Sequence, residues 1–519
     1  MRPSFNIAGP CIPGEHYMLP PERRLGRVLR LIEQRKFFTL HAGRQTGKTT
    51  CLMWLERHLG AAGEHRALWI DLETAREKPE VPRAMAAILA SLDRALTVRH
   101  PELARPEAAE IEAMLRLPDS ALLAYLTRLA GLEPRPLVVL LDEADSLVGE
   151  AMVSFLTQLR QGYIERSQVP FPASVALVGQ RQVRDYALSA EDPTVVSWLG
   201  TTSPFNITAG AMTLGPFTAA EVEELLEQHT TATGQRFEPE AAARIAELGQ
   251  GHPWLTNALA DQIVGWDVED RSAPITRGHV DAAKETLILE RRSHIDSLVA
   301  RLREPRVRRI LEPMLKGEMP QGDLLDDDLA YVLGLGLVRL RGGAVEIANP
   351  IYREVIPRAL TFSQQVTIAN EPAWYVGEDG SLDMGKLMAD WQVFWRKDGS
   401  LAVEGFSYRE AGPHLLLMAF LQRIINGGGR IEREYGLGRG ALDLMVFWKR
   451  ERHAIELKIR RDTETEAEAL DQLAGYLDRA GLGEGWLVLF DLRKELTWQE
   501  KLYVREVEHA GKTLRIVGC

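Results

Sequence analysis

Residues 37–50 read FFTLHAGRQTGKTT, and this stretch decides the fold of the first half of the chain. An apolar run gives way to a turn with two glycines, then to the start of a helix. Gly43 and Gly47 free the backbone to curl its N–H groups around phosphate. Lys48 supplies a charge for the β- and γ-phosphates, and the Thr49 hydroxyl can bind Mg²⁺. The expected cradle is Ala42, Gly43, Arg44, Gln45, Thr46, Gly47, Lys48, Thr49 and Thr50. Ala42 stands where such loops usually open with glycine, which predicts a less tight corner.

A strand to match this loop lies a hundred residues on, in PLVVLLDEAD (136–145). Its unbroken apolar run suits a strand buried on both faces. It delivers Asp142 to the magnesium and places Glu143 beside it, where a carboxylate can polarise the attacking water. Around this pair stand weaker signals. Gln180, at the end of SVALVGQRQ, reads either as a γ-phosphate sensor or as a plain strand-end residue. Arg166 is a candidate finger toward a neighbouring subunit's nucleotide. Tyr17 either packs on adenine or anchors the core. His252 and Pro253, in GQGHP, either sit over the phosphates or make a helix-breaking turn.

Apolar segments and helical patterns alternate from about residue 25 to 210, as in a parallel sheet flanked by helices. TLGPFTAAEVEELLEQHT (213–230) then opens a helical region, with Thr218 and Glu221 at capping-box spacing. The chain of 519 residues exceeds one core. Cys11, Cys51 and Cys519 are scattered without ligand spacing. With no signal-like start and no apolar run of spanning length, they predict a cytoplasmic protein without a membrane segment. The net charge of −11 disfavours broad electrostatic binding of nucleic acid. Between Arg430 and Asp462, however, nine Lys and Arg face six Asp and Glu, so that segment is the better candidate for it.

GRQTGKTT, LLDEAD, LGPF and GHPWL fall in an order that resembles AAA+-type ATPases of the STAND-like, archaeal-ATPase-like group, over residues 1–290. The resemblance implies ATP and Mg as cofactors and a nucleotide-driven change of domain arrangement or assembly. It also implies a homo-oligomer. The helix–helix–hairpin pattern of 306–350 suggests a winged helix. Its candidate recognition helix carries Asp323, Asp326, Asp327 and Asp328, which a phosphate-lined groove would repel, and Arg339 and Arg341 offset them only in part. This module is expected to pack rather than read DNA.

The far end carries GALDLMVFWKRERHAIELKIRR (440–461). In a strand, Glu456 and Lys458 share a face while Ile455, Leu457 and Ile459 take the other. Asp443 lies in the preceding strand, within reach across a hairpin. Two carboxylates and a lysine can hold Mg²⁺ and position a water against a phosphodiester. The ligands would be Asp443, Glu456 and the Leu457 carbonyl, with Lys458 orienting the water. A cross-strand salt bridge is the simpler alternative. An amphipathic helix in SYREAGPHLLLMAFLQRIING (407–427) brings Glu410, and EALDQLAGYLDRAG (468–481) sets Gln472 and Tyr476 on one helix face. The set resembles the PD-(D/E)XK nuclease superfamily over roughly residues 400–500, with Leu442 where the family name has proline.

The sequence thus predicts an α/β multidomain chain. A leader (1–24) contributes to the nucleotide pocket. A P-loop AAA+-type ATPase core (25–212), a helical lid (213–292) and a winged helix (293–362) follow. A connector (363–405) leads to a restriction-endonuclease-like α/β domain (406–519). The expected function is an ATP switch gating or assembling a Mg-dependent nuclease on nucleic acid, DNA before RNA. Defence against phage or mobile DNA is an analogy from domain order. The alternative is a non-catalytic signalling or scaffold ATPase whose last domain only binds nucleic acid or protein.

Overall fold

A computed structural model describes residues 2–179, 207–290, 293–315, 327–360, 375–377, 379–396, 412–426, 429–433, 444–460, 464–491, 493 and 496–519. The chain divides into two compact units, Met1–Leu289 with Gly334–Gly336, and the remainder from Glu290.

In the first unit the elements are α1 (Glu22–Glu33), β1 (Phe37–His41), α2 (Lys48–Ala62), β2 (Arg66–Asp71), α3 (Val81–Arg99), α4 (Ala108–Leu115), α5 (Pro118–Leu132), β3 (Leu137–Asp142), α6 (Gly149–Glu165), β4 (Ser174–Gly179) and β5 (Thr208–Thr213). The helices α7 (Ala219–Thr233), α8 (Pro239–Gly249), α9 (Pro253–Gln262) and α10 (Arg277–Leu289) follow. The sheet runs β2-β3-β4-β1-β5 and is parallel throughout. Strands β1, β3 and β4 are buried along their whole length because both faces are covered. Phe37, Val139 and Leu141 join a core with α3, α5 and α6, while Phe38, Leu40, Val138 and Leu140 join one with α1 and α2. The period of two sends successive residues to opposite layers. The expected capping box is present on α7, where the Glu221 N–H donates to Thr218 Oγ1 at 3.2 Å and the Thr218 N–H donates to Glu221 Oε2 at 2.8 Å.

The second unit begins with α11 (Ser293–Arg301), α12 (Pro305–Leu315), α13 (Asp327–Gly334), a hairpin of β6 (Val338–Arg341) and β7 (Ala344–Ile347), and α14 (Pro350–Leu360). Asp328 accepts from Arg306 at 2.6 Å and from Arg309 at 2.7 Å, and Arg339 pairs with the buried Glu346 at 3.1 Å. Those charges are spent inside the unit. Asp323 and Asp326 lie outside the described residues.

Next come α15 (Met384–Phe394), α16 (Gly412–Asn426), β8 (Arg430–Arg433), β9 (Leu444–Trp448), β10 (Glu451–Ile459), α17 (Glu464–Ala480), β11 (Glu484–Phe490), β12 (Tyr503–His509) and β13 (Lys512–Gly518). The sheet order is β12-β13-β11-β10-β9-β8, parallel among β10, β11 and β13 and antiparallel at both margins. Two features depart from expectation. The first half of α16 is buried on every side, from Leu415 through Leu421, as an apolar stretch of helix must be. The segment expected to be a connector carries α15, whose Trp391 is fully buried against Phe420 and Phe490 and donates its indole N–H to Cys519 Sγ at 3.2 Å.

Candidate functional site

The loop after β1 enters α2 through Gly47 at φ 86°, the left-handed conformation that glycine adopts without strain. Ala42 is buried in the core that holds Phe38 and Leu40, where its methyl group is accommodated. Lys48 is also buried, its ammonium donating to the carbonyls of Ala42 and Gly43 at 3.0 Å each. Burial lowers its pKa, against the pull of Glu143 and Asp142. Such a cation is poised to exchange two neutral carbonyls for phosphate charge.

Thr49 Oγ1 donates to Asp142 Oδ2 at 2.7 Å, so the hydroxyl and carboxylate converge on one point. Burial raises the Asp142 carboxyl. A hydroxyl beside a carboxylate held out of water is a donor set that fits a hard divalent cation. Glu143 adopts φ 49° and ψ 39°, a left-handed backbone rare outside glycine, and strain of this kind concentrates at functional sites. Its carboxyl is pushed up to about 7 by burial and by neighbouring Asp145. Arg76 stands 3.8 Å from it.

The leader joins this loop to the helices beyond the sheet. The Cys11 N–H donates to Thr50 Oγ1 at 3.0 Å, the Asn6 N–H to Asn257 Oδ1 at 3.3 Å, and Trp254 Nε1 to the Ile7 carbonyl at 2.9 Å. Gln228 holds both backbone groups of Met18. A recess of about 480 Å³, counting its open mouth, is lined by Cys11, Tyr17, Leu19, Thr50, Phe217 and Pro253 among others. Tyr17 therefore lines the recess and also anchors the core. Its hydroxyl lies 3.3 Å from His229 Nδ1, and its ring centroid is 4.8 Å from that of Phe5.

LGPF and GHPWL, distant in sequence, dock on each other. The Phe217 N–H donates to the Gly251 carbonyl at 2.8 Å, and a Cβ on Gly251 would stand 1.9 Å from the Phe217 oxygen. His252 caps α9, and burial pushes it down to about 4. Arg24 is a further residue of the site, unmarked in the sequence. From α1 it donates to the Thr46 carbonyl at 3.0 Å and to the Gly215 carbonyl, with its guanidinium 5.2 Å from the Phe217 ring. In the sequence it looks like one more cation on a surface helix; only its position under the loop distinguishes it.

Arg166 donates to the carbonyls of Arg35 and Ala173 and lies 3.9 Å from the Tyr163 ring centroid, at the amino end of β1 and β4. Gln180 lies outside the described residues.

Residues 30–186 match the family model described as an AAA domain. With the loop and strand geometry above, this segment is a P-loop ATPase domain of the AAA type, and ATP is its nucleotide. No curated protein matches the sequence. Among solved structures the chain is similar to the Walker-type ATPase paby2304 of Pyrococcus abyssi, at 14% identity over 68% of this chain and 99% of that one, with a TM-score of 0.49. It is also similar to the Thermotoga maritima RuvB Holliday junction branch migration motor (14% identity, 65% and 93% covered, TM-score 0.33). Cdc6p from Pyrobaculum aerophilum is a third (14%, 67% and 95%, TM-score 0.37).

In the second unit Glu456 is buried, 2% exposed, and Lys458 Nζ stands 3.0 Å from its Oε1. Ala454, on the same face of β10, packs under α17 with Leu473 and Leu477, whereas Leu457 is buried toward the other face. Tyr476 packs against that cluster, and Gln472 is exposed on α17. Asp443 and Glu410 lie outside the described residues. Among the described residues no three His, Cys, Asp or Glu gather to hold a metal ion, and no helix is long and apolar enough to cross a membrane.

Proposed function

We propose that this chain is an ATP-driven switch that gates or assembles a Mg-dependent nuclease, acting on the phosphodiester bonds of nucleic acid, DNA before RNA, in a homo-oligomer. The observation that carries the reading is the Glu456–Lys458 pair. A carboxylate is costly to bury without a partner, and here the partner lies two residues along the same strand face. Lys458 is the group that would orient a water and balance charge developing on a phosphate. Asp443 and Glu456, with the Leu457 carbonyl, would hold Mg²⁺, which supplies Lewis acidity at the scissile phosphate.

In the ATPase domain Thr49 and Asp142 would hold Mg²⁺ beside the nucleotide. Lys48 exchanges its loop carbonyls for the β- and γ-phosphates, and Glu143 takes up the proton of the attacking water. The helix–helix–hairpin region is best understood as a winged helix serving as a packing module, since Asp328 and Arg339 are engaged by its own residues. The test is direct. Purified protein is incubated with single-stranded, duplex and plasmid DNA and with RNA, with and without Mg²⁺ and ATP. Metal-dependent cleavage supports the reading; intact substrates under every condition return the terminal domain to a binding or scaffold role.

A further inference from the structure

The face of β10 that carries Glu456 and Lys458 continues to Arg460, just beyond the strand's carboxyl end. Helix α17 starts there, and Glu466 in its first turns gathers two guanidinium groups. One is Arg460, at 3.9 Å from Oε2; the other is Arg505 of β12, which bonds Oε1. Tyr503 completes the group. Its ring lies over Gly518, where a Cβ would meet it at 2.4 Å, and the Arg505 guanidinium is 5.7 Å from its centroid. Burial raises the Tyr503 phenol, with Glu466, Arg460, Arg505 and Asp491 all near enough to act on it. Asp491 itself is committed to Arg493 at 2.6 Å.

Among the described residues here, Lys458, Arg460, Arg493 and Arg505 stand with Glu456, Glu466 and Asp491, and Glu466 serves two cations. The edge lies outside the carboxyl ends of three parallel strands, where open sheets bind ligands. Lys458 and Arg460 are two residues apart, about 6.6 Å along the strand. A polymer with one phosphate per nucleotide can address both with successive phosphates.

We infer that Arg460 and Arg505, seated on Glu466 and flanked by Tyr503, form a binding site for backbone phosphates next to the scissile one of a nucleic-acid strand. This rests on the nuclease reading of the same face. Glu466 holds the guanidinium groups in place and gives them up to the strand.

The test uses the full chain and fluorescein-labelled single-stranded and duplex DNA, with binding followed by anisotropy in EDTA so that no cleavage intervenes. Arg460→Gln with Arg505→Gln should weaken binding at least tenfold and flatten the log–log salt dependence by about 1.4 to 1.8, the share of two phosphate contacts. Glu466→Gln should tighten binding a few-fold at low salt. Arg460→Lys with Arg505→Lys keeps the charges and should retain binding to within about threefold, which separates lost phosphate contacts from a misfolded α17. Affinity and salt slope unchanged in the double Gln variant, or wild type that binds neither DNA, would overturn the site. A wild type that binds through these arginines yet never cuts removes the nuclease reading and keeps the phosphate site. One that cuts with both arginines dispensable does the reverse.

Discussion

At Lys48 two carbonyls hold an ammonium that burial makes reluctant to stay charged. Lys48→Ala should therefore weaken ATP binding by roughly 10- to 100-fold, the worth of a charge-assisted contact, measured by titration with a fluorescent ATP analogue. Glu143→Gln should leave that affinity within a few-fold and slow hydrolysis by about 10²- to 10⁴-fold. Wild-type turnover in Glu143→Gln would show that another group takes the proton. The Glu143 carboxyl, raised to about 7, also sets a pH dependence. As the base it must be ionised, so kcat/KM for ATP should rise with pH and level off above about 7. For stability the sign is opposite. Between about 4.5 and 7 the folded state holds a proton that the unfolded chain has lost, so this group's contribution falls as pH rises through that window.

At the scale of elements, the contact between Phe217 and Gly251 ties the segment entering α7 to the turn before α9. Gly251→Ala would drive a methyl group into the Phe217 carbonyl at positive φ, and should cost on the order of 1–3 kcal/mol, visible as a lower Tm. Its effect on ATP affinity should exceed that of Gly234→Ala, a positive-φ glycine with nothing near its Cβ. The elements differed in how plainly the sequence announced them. The β1 loop and β3 were readable because a strand buried on both faces has to be apolar throughout, and phosphate chemistry restricts the loop residues. The hairpin β12–β13 was not foreseen. Its edge strand YVREVEH mixes charged and apolar residues on both faces without a period of two, and charged edges protect sheets against pairing while hiding them from a hydrophobicity reading. Arg24 and the Arg460–Glu466–Arg505 group were invisible for another reason: each joins elements whose pairing no local pattern states.

At the scale of the whole molecule, the ATPase loop and the Glu456–Lys458 pair lie in different compact units. Asp443→Ala, Glu456→Ala and Lys458→Ala should each abolish metal-dependent cleavage while ATP turnover stays within about twofold. Cleavage that persists in Lys48→Ala would mean that the two activities share a chain without a switch between them. The leader adds a constraint in time. Asn6 and Ile7 emerge early from a ribosome, but their partners Asn257 and Trp254 are some 250 residues downstream. At about 5–20 residues per second the recess beside the phosphate loop stays unfinished for roughly ten seconds to a minute. A nascent chain stalled near residue 260, with β5 clear of the exit tunnel and α9 still inside it, should carry a formed parallel sheet yet fail to retain ATP, whereas one stalled after about residue 330, with α10 clear of the tunnel, should hold it. That outcome would make nucleotide capture an event scheduled by translation, with the nucleotide a late recruit to a sheet already folded.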